Sequence, residues 1–269
     1  MTGLDTLDRS MGIVFTYLVA VALAMARGVA MATVLPVFTR MGITGILRNG
    51  VALALALPLI PQIAGELSLP AALGPWTLIA LALKEAFIGL LLGVAFGIPF
   101  WGAEAAGDVA DLQRGASGAY LIDPSAAGEA SVTGTLFVVV LLTVFFAAGG
   151  MTILADAYYR SYAIWPATAF LPGFSAELPG LLLGLLDRIM QLALIIAGPI
   201  ILIMFVGDAL LAIVSRFAPQ LNVFDLSLSV KGAVFVLALP LYAVFLVDYL
   251  ADSLAPLPGV VDLAAEFLK

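Results

Sequence analysis

Long apolar stretches alternate with short polar ones along most of the chain, a pattern that predicts a membrane protein. The apolar stretches cover residues 11–39, 51–64, 76–101, 132–154, 181–214 and 232–250. A helix of roughly 20 apolar residues crosses about 30 Å of hydrocarbon, and most of these stretches are that long. The second is short and contains Pro58 and Pro61, which favours a half-helix or a segment buried in protein. We therefore predict an all-α integral membrane protein with about six apparent spans.

The last two apolar stretches flank a short polar linker, which predicts the bend of a membrane hairpin. Pro219 disfavours helix at Ala218 and lacks a backbone donor, so a turn or broken helix is expected there. Gln220 and Asn222 either cap free backbone groups at this bend, which we prefer, or contact another subunit. The candidates for the bend or for subunit contacts are Arg216, Pro219, Gln220, Asn222, Phe224 and Lys231.

Composition narrows the possible functions. Of 269 residues, 63% are hydrophobic and 11% are charged, whereas about a quarter of the residues in soluble domains are charged. The chain contains no cysteine and no histidine, which excludes disulfides, thiol nucleophiles, imidazole bases and nearly all zinc or haem ligation. We expect no catalytic site, cofactor or metal. A net charge of -7 with only eleven Lys and Arg argues against a nucleic-acid partner.

Charged residues inside the apolar stretches are expected to be buried in protein or to lie near an interface. Arg27 either faces protein or extends towards the membrane surface from one end of an overlong helix. Lys84 and Glu85 are adjacent, so we expect them to point to different faces and not to neutralise one another, and at least one should have a partner elsewhere. Asp208 is expected to hydrogen-bond across a helix interface or to pair with a cation of a neighbouring subunit.

Small and aromatic residues predict two further features. Gly89, Gly93 and Gly97 recur every four residues and form one smooth helix face, on which a second helix can pack closely. Aromatic side chains follow the fourth apolar stretch, which predicts a belt at the membrane surface. Its members are Tyr158, Tyr159, Tyr162 and Trp165.

The main polar segment, residues 102–131, is rich in Gly, Ala and Ser and contains five acidic residues. Glu104, Asp108 and Asp111 are spaced i, i+4 and i+7, which places them on one helix face, and Arg114 follows three residues after Asp111. Such a stripe is expected to face water. Taken alone, it predicts a solvated helix outside the bilayer.

Three stretches resemble the T component of type III secretion export apparatuses, a family that includes the flagellar export protein FliR. The first is KEAFIG followed by PFWG, residues 84–102; the second is DLQRGAS, residues 111–117, followed by Asp123 and Pro124; the third is SRFAPQLNVF, residues 215–224. The residues of these motifs are more similar to those of virulence-type injectisome members than to those of flagellar members. The resemblance covers most of the chain.

This resemblance implies a non-enzymatic subunit of an export gate in the bacterial inner membrane. Family members are built from tilted, kinked helical hairpins and pack with R and S subunits into a helical assembly. The U switch protein joins that assembly, and unfolded export substrates pass through it. The implied partners are therefore the R, S and U membrane proteins, exported unfolded proteins and membrane lipid.

In the family, the segment that DLQRGAS resembles lies at the central pore and helps to plug it. The resemblance thus implies that residues 107–117 narrow the channel, and glycine would let the backbone bend there and rearrange. Asp111, Gln113 and Arg114 are expected to hold the closed form through hydrogen bonds and ion pairing. The pore or plug candidates are Gly107, Asp108, Asp111, Gln113, Arg114, Gly115 and Ser117.

We expect a single export-gate membrane domain over residues 1–269. It divides into N-terminal hairpins at 11–101, the plug-like segment at 102–131, C-terminal hairpins at 132–251 and a tail at 252–269. Residues 257–268 of the tail could form a short amphipathic helix. The N-terminal apolar run is too long for a signal-peptide core, so we expect it to be retained as a span.

Two other functional classes are consistent with parts of the pattern. A secondary transporter is suggested by the intramembrane charges Lys84, Asp208 and Asp248 and by the helix breaks expected near Pro58 and Pro199. An intramembrane aspartyl protease would need Asp208 and Asp248 to share a proton.

Overall fold

The protein is almost entirely helical. The computed structural model describes residues 3–67, 74–115, 131–170, 178–218 and 223–267, and these ranges contain no β-strand. The α-helices are α1 (Gly3–Val34), α2 (Pro36–Arg40), α3 (Gly45–Ala56), α4 (Ile60–Leu67), α5 (Pro75–Arg114), α6 (Val132–Ala147), α7 (Gly150–Ile164), α8 (Leu178–Phe217), α9 (Val223–Leu254) and α10 (Val260–Phe267). The all-α prediction is confirmed.

The chain divides into two compact units. The first contains Met1–Gly97, Gly150–Leu181 and Pro256–Lys269, and the second contains Ile98–Gly149 and Leu182–Ala255. Leu23, Met31, Leu81 and others form the buried apolar core of the first unit. In the second unit, Phe100 and Phe145 are buried edge to face, with their ring centroids 5.6 Å apart.

The described residues contain five helical runs that are long and apolar enough to cross a membrane. They are Ser10–Val34, Gly45–Leu67, Pro75–Arg114, Leu183–Phe217 and Leu226–Asp262. The broken pair α6 and α7 raises the number to six if it counts as one span. The prediction of an integral membrane protein with about six apparent spans is therefore confirmed.

The second apolar stretch is longer than the sequence pattern indicated. A 3-10 turn at Leu57–Leu59 joins α3 to α4, so that Gly45–Leu67 forms a helical run of 23 residues. Of the two alternatives for this stretch, the half-helix is not observed, because Pro58 lies within the first turn of the 3-10 segment and the helical run continues through it.

Proline also divides the first apolar stretch, which we expected to form one helix. Leu35 is extended at φ -67° and ψ 119°, and Pro36 begins α2. The residue before a proline is pushed out of the helical region by its ring, and proline is well suited to the first position of the next helix. The break at Leu35 follows from these two preferences.

Two helices extend well beyond the stretches that predicted them. Both α5 and α8 contain 40 residues, so each is about 60 Å long, twice the thickness of the hydrocarbon core. Pro99 and Pro199 lie inside these helices, which continue through them. The polar stripe after Trp101 is thus the last part of α5. Residues 102–114 therefore continue α5 and do not form a separate segment.

The fourth apolar stretch is not one straight helix. After α6, Ala148 and Gly149 interrupt the chain before α7 begins, and Gly149 has φ +73°. Glycine adopts this left-handed conformation without the steric cost that other residues meet. The break therefore occurs at the Gly149-Gly150 pair that ends the most apolar part of the stretch.

The hairpin bend is shorter than its polar composition suggested. Since α8 ends at Phe217 and α9 begins at Val223, Arg216 lies on α8 with an exposed side chain and Lys231 lies on α9. Phe224 is in α9, and only its backbone is described. Pro219, Gln220 and Asn222 lie outside the described residues, so their predicted roles stay predictions.

The short tail helix is present. A 3-10 turn at Leu257–Gly259 leads into α10, which belongs to the first unit together with α7. Arg160 of α7 pairs with Asp262 of α10 and with Asp156 at 3.7 Å. These side chains are largely exposed, so we expect the pairs to add little stability.

Candidate functional site

Asp111 ties the end of α5 to the start of α6 within the second unit. Its carboxylate accepts hydrogen bonds from Ser131 Oγ at 2.7 Å, from Thr133 Oγ1 at 2.5 Å and from Thr133 N at 3.1 Å. Ser131 is also the N-cap of α6 and accepts a bond from Gly134 N at 2.8 Å. The first N–H groups of a helix lack intrahelical partners and favour a nearby negative charge. Asp111 provides that charge.

The expectation that the acidic stripe faces water is wrong at Asp111. Only 3% of this residue is exposed, while Glu104 and Asp108 are half-buried. Burial of a carboxylate is tolerated when hydrogen bonds replace its lost water, and three donors on Ser131 and Thr133 do so. These donors lie at the start of α6, about twenty residues away in sequence, and helix periodicity gives no indication of them.

Arg114 completes this group, which we call the Asp111 cluster (Asp111, Arg114, Ser131 and Thr133). Its Nη2 donates to Asp111 Oδ1 at 2.7 Å, the ion pair that the i, i+3 spacing predicts. The guanidinium also lies over the ring of Phe235 in α9, 4.6 Å from its centroid. Arg114 therefore contacts both its own helix and α9.

Two glycines of the plug candidates allow close approaches. A Cβ added at Gly107 would overlap the backbone of Gly134, so α5 and α6 cross at that point with no room for a side chain. Gly115 follows α5 with φ +76°, and a Cβ there would overlap Leu228 of α9. Ser117 lies outside the described residues.

An ion pair joins α8 to α9 beside this cluster. Lys231 Nζ lies 2.8 Å from Asp208 Oδ2, and Ser227 Oγ donates to Asp208 Oδ1 at 3.1 Å. Of the two expectations for Asp208, the bond across a helix interface is therefore the one observed. Lys231 also donates to the backbone carbonyl of Gln113 at 3.2 Å, so Gln113 takes part through its main chain.

The first unit contains a second buried polar group, the Arg27 cluster (Arg27, Lys84, Glu85, Ser161 and Trp165). Arg27 is fully buried and binds Glu85 through Nε at 2.7 Å and through Nη2 at 3.0 Å. Its guanidinium also donates to Ser161 Oγ at 2.6 Å and to the carbonyl of Trp165 at 2.9 Å. The hypothesis that Arg27 extends towards the membrane surface is wrong, because its guanidinium is fully buried and hydrogen-bonded to Glu85, Ser161 and Trp165.

Lys84 and Glu85 do neutralise one another, contrary to the expectation from their adjacency. Lys84 Nζ lies 2.8 Å from Glu85 Oε1, since the flexible lysine side chain can reach around the helix surface. The same ammonium donates to three backbone carbonyls after α7, those of Pro166, Ala167 and Ala169, at 2.7 to 3.1 Å. Both residues therefore also have partners on other elements.

Three of the four aromatic residues predicted to form a belt at the membrane surface are buried in the protein, whereas Tyr159 of α7 is half-buried and Trp165 directly follows α7. Tyr158, Tyr162 and Trp165 are buried, and Tyr162 stacks on Arg27 with 3.6 Å between the guanidinium carbon and the ring centroid. Tyr158 donates to the carbonyl of Ala24 at 2.8 Å. Their spacing of four and three residues, with Ser161 between, places them on one helix face. This periodicity indicates a buried helix face, and it could have been used to predict the burial of these residues from the sequence.

The glycine face of α5 explains how the Arg27 cluster closes. A Cβ added at Gly89 would overlap the carbonyl oxygen of Arg27, and one at Gly93 would lie 2.7 Å from that of Met31. The backbone of α1 therefore rests on these glycines, which follow Glu85 by about one and two turns of α5. Gly97 is buried on the same face.

The carboxylates proposed for a protease do not meet. Asp208 contacts Lys231, whereas Asp248 is exposed and lies 17 residues further along α9, roughly 25 Å away at 1.5 Å per residue. Two carboxylates share a proton only when they are a few ångströms apart. Within the described ranges, no three acidic side chains converge to hold a metal ion.

Comparison with known proteins places the chain in a family. The model of a family described as bacterial export proteins, family 1, matches residues 18–256. The chain belongs to this family. The match runs from α1 to the end of α9, so it includes both polar clusters and the α8–α9 hairpin.

Proteins of type III secretion systems are among the relatives of this export protein. It is 34% identical to Yop proteins translocation protein T of Yersinia pestis over 238 residues, which cover 88% of this chain and 90% of that protein. Identity to surface presentation of antigens protein SpaR of Salmonella typhimurium is 33% over 222 residues, covering 82% and 81%. Flagellar biosynthetic protein FliR of Bacillus subtilis is 30% identical over 155 residues, covering 57% and 60%.

These findings confirm the resemblance that three short motifs indicated. The export protein is a multi-span protein of the bacterial inner membrane, related to components of type III secretion. Two of the motifs lie in the structure at the polar clusters. Residues 84–89 carry Lys84, Glu85 and Gly89, and residues 111–115 begin the second motif at Asp111.

Proposed function

We propose that the chain is a non-enzymatic subunit of the export gate of a type III secretion system, acting as a single export-gate domain over residues 1–269. It forms part of the pore wall, and residues 107–117 contribute a plug that closes the path of unfolded substrates. Family membership supports the export role. The plug is supported by one observation above all: the Asp111 cluster holds the end of α5 in a defined buried position within the main polar segment of the chain.

The chemistry of the Asp111 cluster suits a seal that must open. An ordinary hydrogen bond contributes about 0.5–1.5 kcal/mol net, because water can replace its partner, and one to a charged group about 1.5–3 kcal/mol. The few bonds of the cluster thus hold the closed form, yet hydration can compensate for their loss. Gly115 at φ +76° lets the chain turn directly after the cluster.

The proposed partners are the R and S subunits, the U protein, exported unfolded proteins and membrane lipid. Many large apolar side chains of α8 and α9 are exposed on this chain, among them Leu202, Phe205, Leu237 and Leu241. At membrane depth they need lipid or neighbouring subunits as cover. Arg216 is exposed near the end of α8, and we propose that it contacts a neighbouring subunit.

The secondary-transporter hypothesis loses part of its basis. Lys84 and Asp208, two of the three charges that suggested it, are engaged by Glu85 and Lys231 within this chain. A transporter is expected to carry its solute when purified alone. The proposed subunit should instead depend on its partners for stability.

We expect Arg114→Ala, and more strongly the deletion of residues 110–115, to make the assembled export complex leak. Both changes remove contacts that hold the end of α5, and the deletion also removes Asp111. Leakage would be measured as uptake of a small dye or of ions by cells in which substrate export is blocked.

Arg160→Ala is the matched control, because it removes one exposed arginine from the first unit. Co-purification with the neighbouring membrane proteins would show that each variant still assembles. Unchanged leakage in both assembled variants would overturn the plug proposal.

A further inference from the structure

Three contacts join the end of α5 to α9, and they converge within a few residues. Lys231 donates to the carbonyl of Gln113 at 3.2 Å, Arg114 lies over the ring of Phe235, and Gly115 rests against Leu228. On α9 these partners are spaced three, four and seven residues apart, so they occupy one helix face. The α8–α9 hairpin thus meets α5 where the plug candidates end.

The ammonium of Lys231 binds two acceptors on different helices. One is the carboxylate of Asp208 on α8, at 2.8 Å, and the other is the carbonyl of Gln113 in the last turn of α5. A carbonyl in the last turn lacks an intrahelical partner, and the helix dipole makes it more negative. The lysine side chain is only 15% exposed, so little water competes for its donors.

We propose that Lys231 is a positioning residue which couples the end of α5 to the α8–α9 hairpin. This inference rests on the proposed function, since it makes the hairpin part of the device that keeps the plug closed. Movement of α9 relative to α8 would withdraw the ammonium from Gln113, and the end of α5 would lose a contact. Any neighbour that shifts the hairpin could thereby influence the seal.

A purely structural role for Lys231 makes a different prediction. If Lys231 only held α8 to α9, neutralising either partner would have the same effect. In the coupling proposal the two differ, because Asp208→Asn leaves the bond from Lys231 to Gln113 in place, whereas Lys231→Met removes it. Lys231→Arg retains the positive charge and enough N–H donors for both groups, so it should restore most of the wild-type behaviour.

The position of α5 can be measured without reference to leakage. The chain contains no cysteine, so Gln113→Cys together with Leu228→Cys creates a thiol pair beside the contact between α5 and α9. The substitution at Gln113 keeps the backbone carbonyl that Lys231 binds and avoids Gly115, where φ is +76°. Membranes that contain the assembled complex would be treated with a short bifunctional thiol reagent, and remaining thiols would be counted with a heavy maleimide. We expect the crosslinked fraction to fall in the Lys231→Met background and to persist with Asp208→Asn or Lys231→Arg.

The crosslinking rate of the pair should fall by about tenfold to a hundredfold, the range expected from losing one hydrogen bond to a charged donor. Arg188→Met is the control, since it removes an exposed cation from α8 in the same unit. Equal crosslinking in the Lys231→Met and wild-type backgrounds would overturn the coupling. So would an equal loss in Asp208→Asn and Lys231→Met, which would assign Lys231 to the hairpin alone.

Leakage then separates this inference from the function on which it rests. We expect Lys231→Met to leak more than Asp208→Asn, with both below the deletion of residues 110–115. If the deletion leaks and Lys231→Met stays tight, the plug stands and the coupling is wrong. If the deletion itself stays tight, the plug is wrong, and the crosslinking result alone decides whether Lys231 positions α5.

Discussion

Glu85→Ala should prevent the protein from accumulating in the membrane. Glu85 is fully buried and is the carboxylate that binds both Arg27 and Lys84. Removing it would leave two buried cations facing each other. Breaking a buried ion pair costs about 3–5 kcal/mol, a large part of the 5–15 kcal/mol that stabilises a typical protein.

The measurement is the steady-state amount of tagged protein in membranes, followed by the melting temperature of the purified complex. Glu85→Gln should be almost as harmful, because it keeps the shape of the side chain and still removes its charge. Asp262→Ala supplies the contrast: it breaks an exposed ion pair of the same unit and should change stability by less than about 1 kcal/mol. Normal accumulation of Glu85→Ala would show that the Arg27 cluster contributes little to stability.

Gly89→Ala should also destabilise the protein strongly, although alanine favours helices. The new Cβ would overlap the backbone carbonyl of Arg27, and a backbone atom cannot move away without displacing α1. Overpacking of this kind typically costs about 1–3 kcal/mol and can cost more. Displacing α1 would also pull Arg27 from Glu85, so the packing defect and the electrostatic one should add.

Gly184→Ala is the matched control for this substitution. It lies in α8 with nothing near its missing Cβ, so the helix propensity of alanine should stabilise it by up to about 1 kcal/mol. The two glycine variants are therefore expected to change the melting temperature in opposite directions. A Gly89→Ala protein as stable as Gly184→Ala would contradict the close contact between α1 and α5.

The two units place their charges differently, and this bears on their roles. Arg27 and Glu85 are fully buried and hold α1, α5 and α7 together. In the second unit, the side chains of Asp111 and Lys231 are only 4% and 15% exposed, but their partners Arg114 and Asp208 are 20% and 34% exposed. Partly hydrated pairs exchange partners at lower cost than buried ones. The second unit is therefore where we place the parts that rearrange.

Some features could be predicted because they depend on neighbouring residues. The Asp111–Arg114 ion pair follows from the i, i+3 spacing on a helix. The packing role of Gly89 also follows from a repeat of four within one helix. Each of these signals lies within a few turns of a single helix.

Other features could not be predicted, because their partners are far apart in sequence. Arg27 meets Glu85 58 residues later and Ser161 134 residues later. The burial of Asp111 depends on Ser131 and Thr133, at the start of another helix. For the same reason, aromatic residues of α7 that resembled a membrane belt proved to be the surroundings of a buried arginine.

The sequence by itself determined that this is a helical membrane protein of the export family, because hydrophobic length and short motifs are local properties of the chain. Only the tertiary structure decided which charges are neutralised and which helix ends are held. A charged residue in an apolar span needs a partner, but the sequence does not show which residue that partner is. The choice among distant partners depends on which helices pack together. That packing is set by close contacts such as those of Gly89 in α5 with the backbone of α1, and of Gly115 with Leu228 of α9.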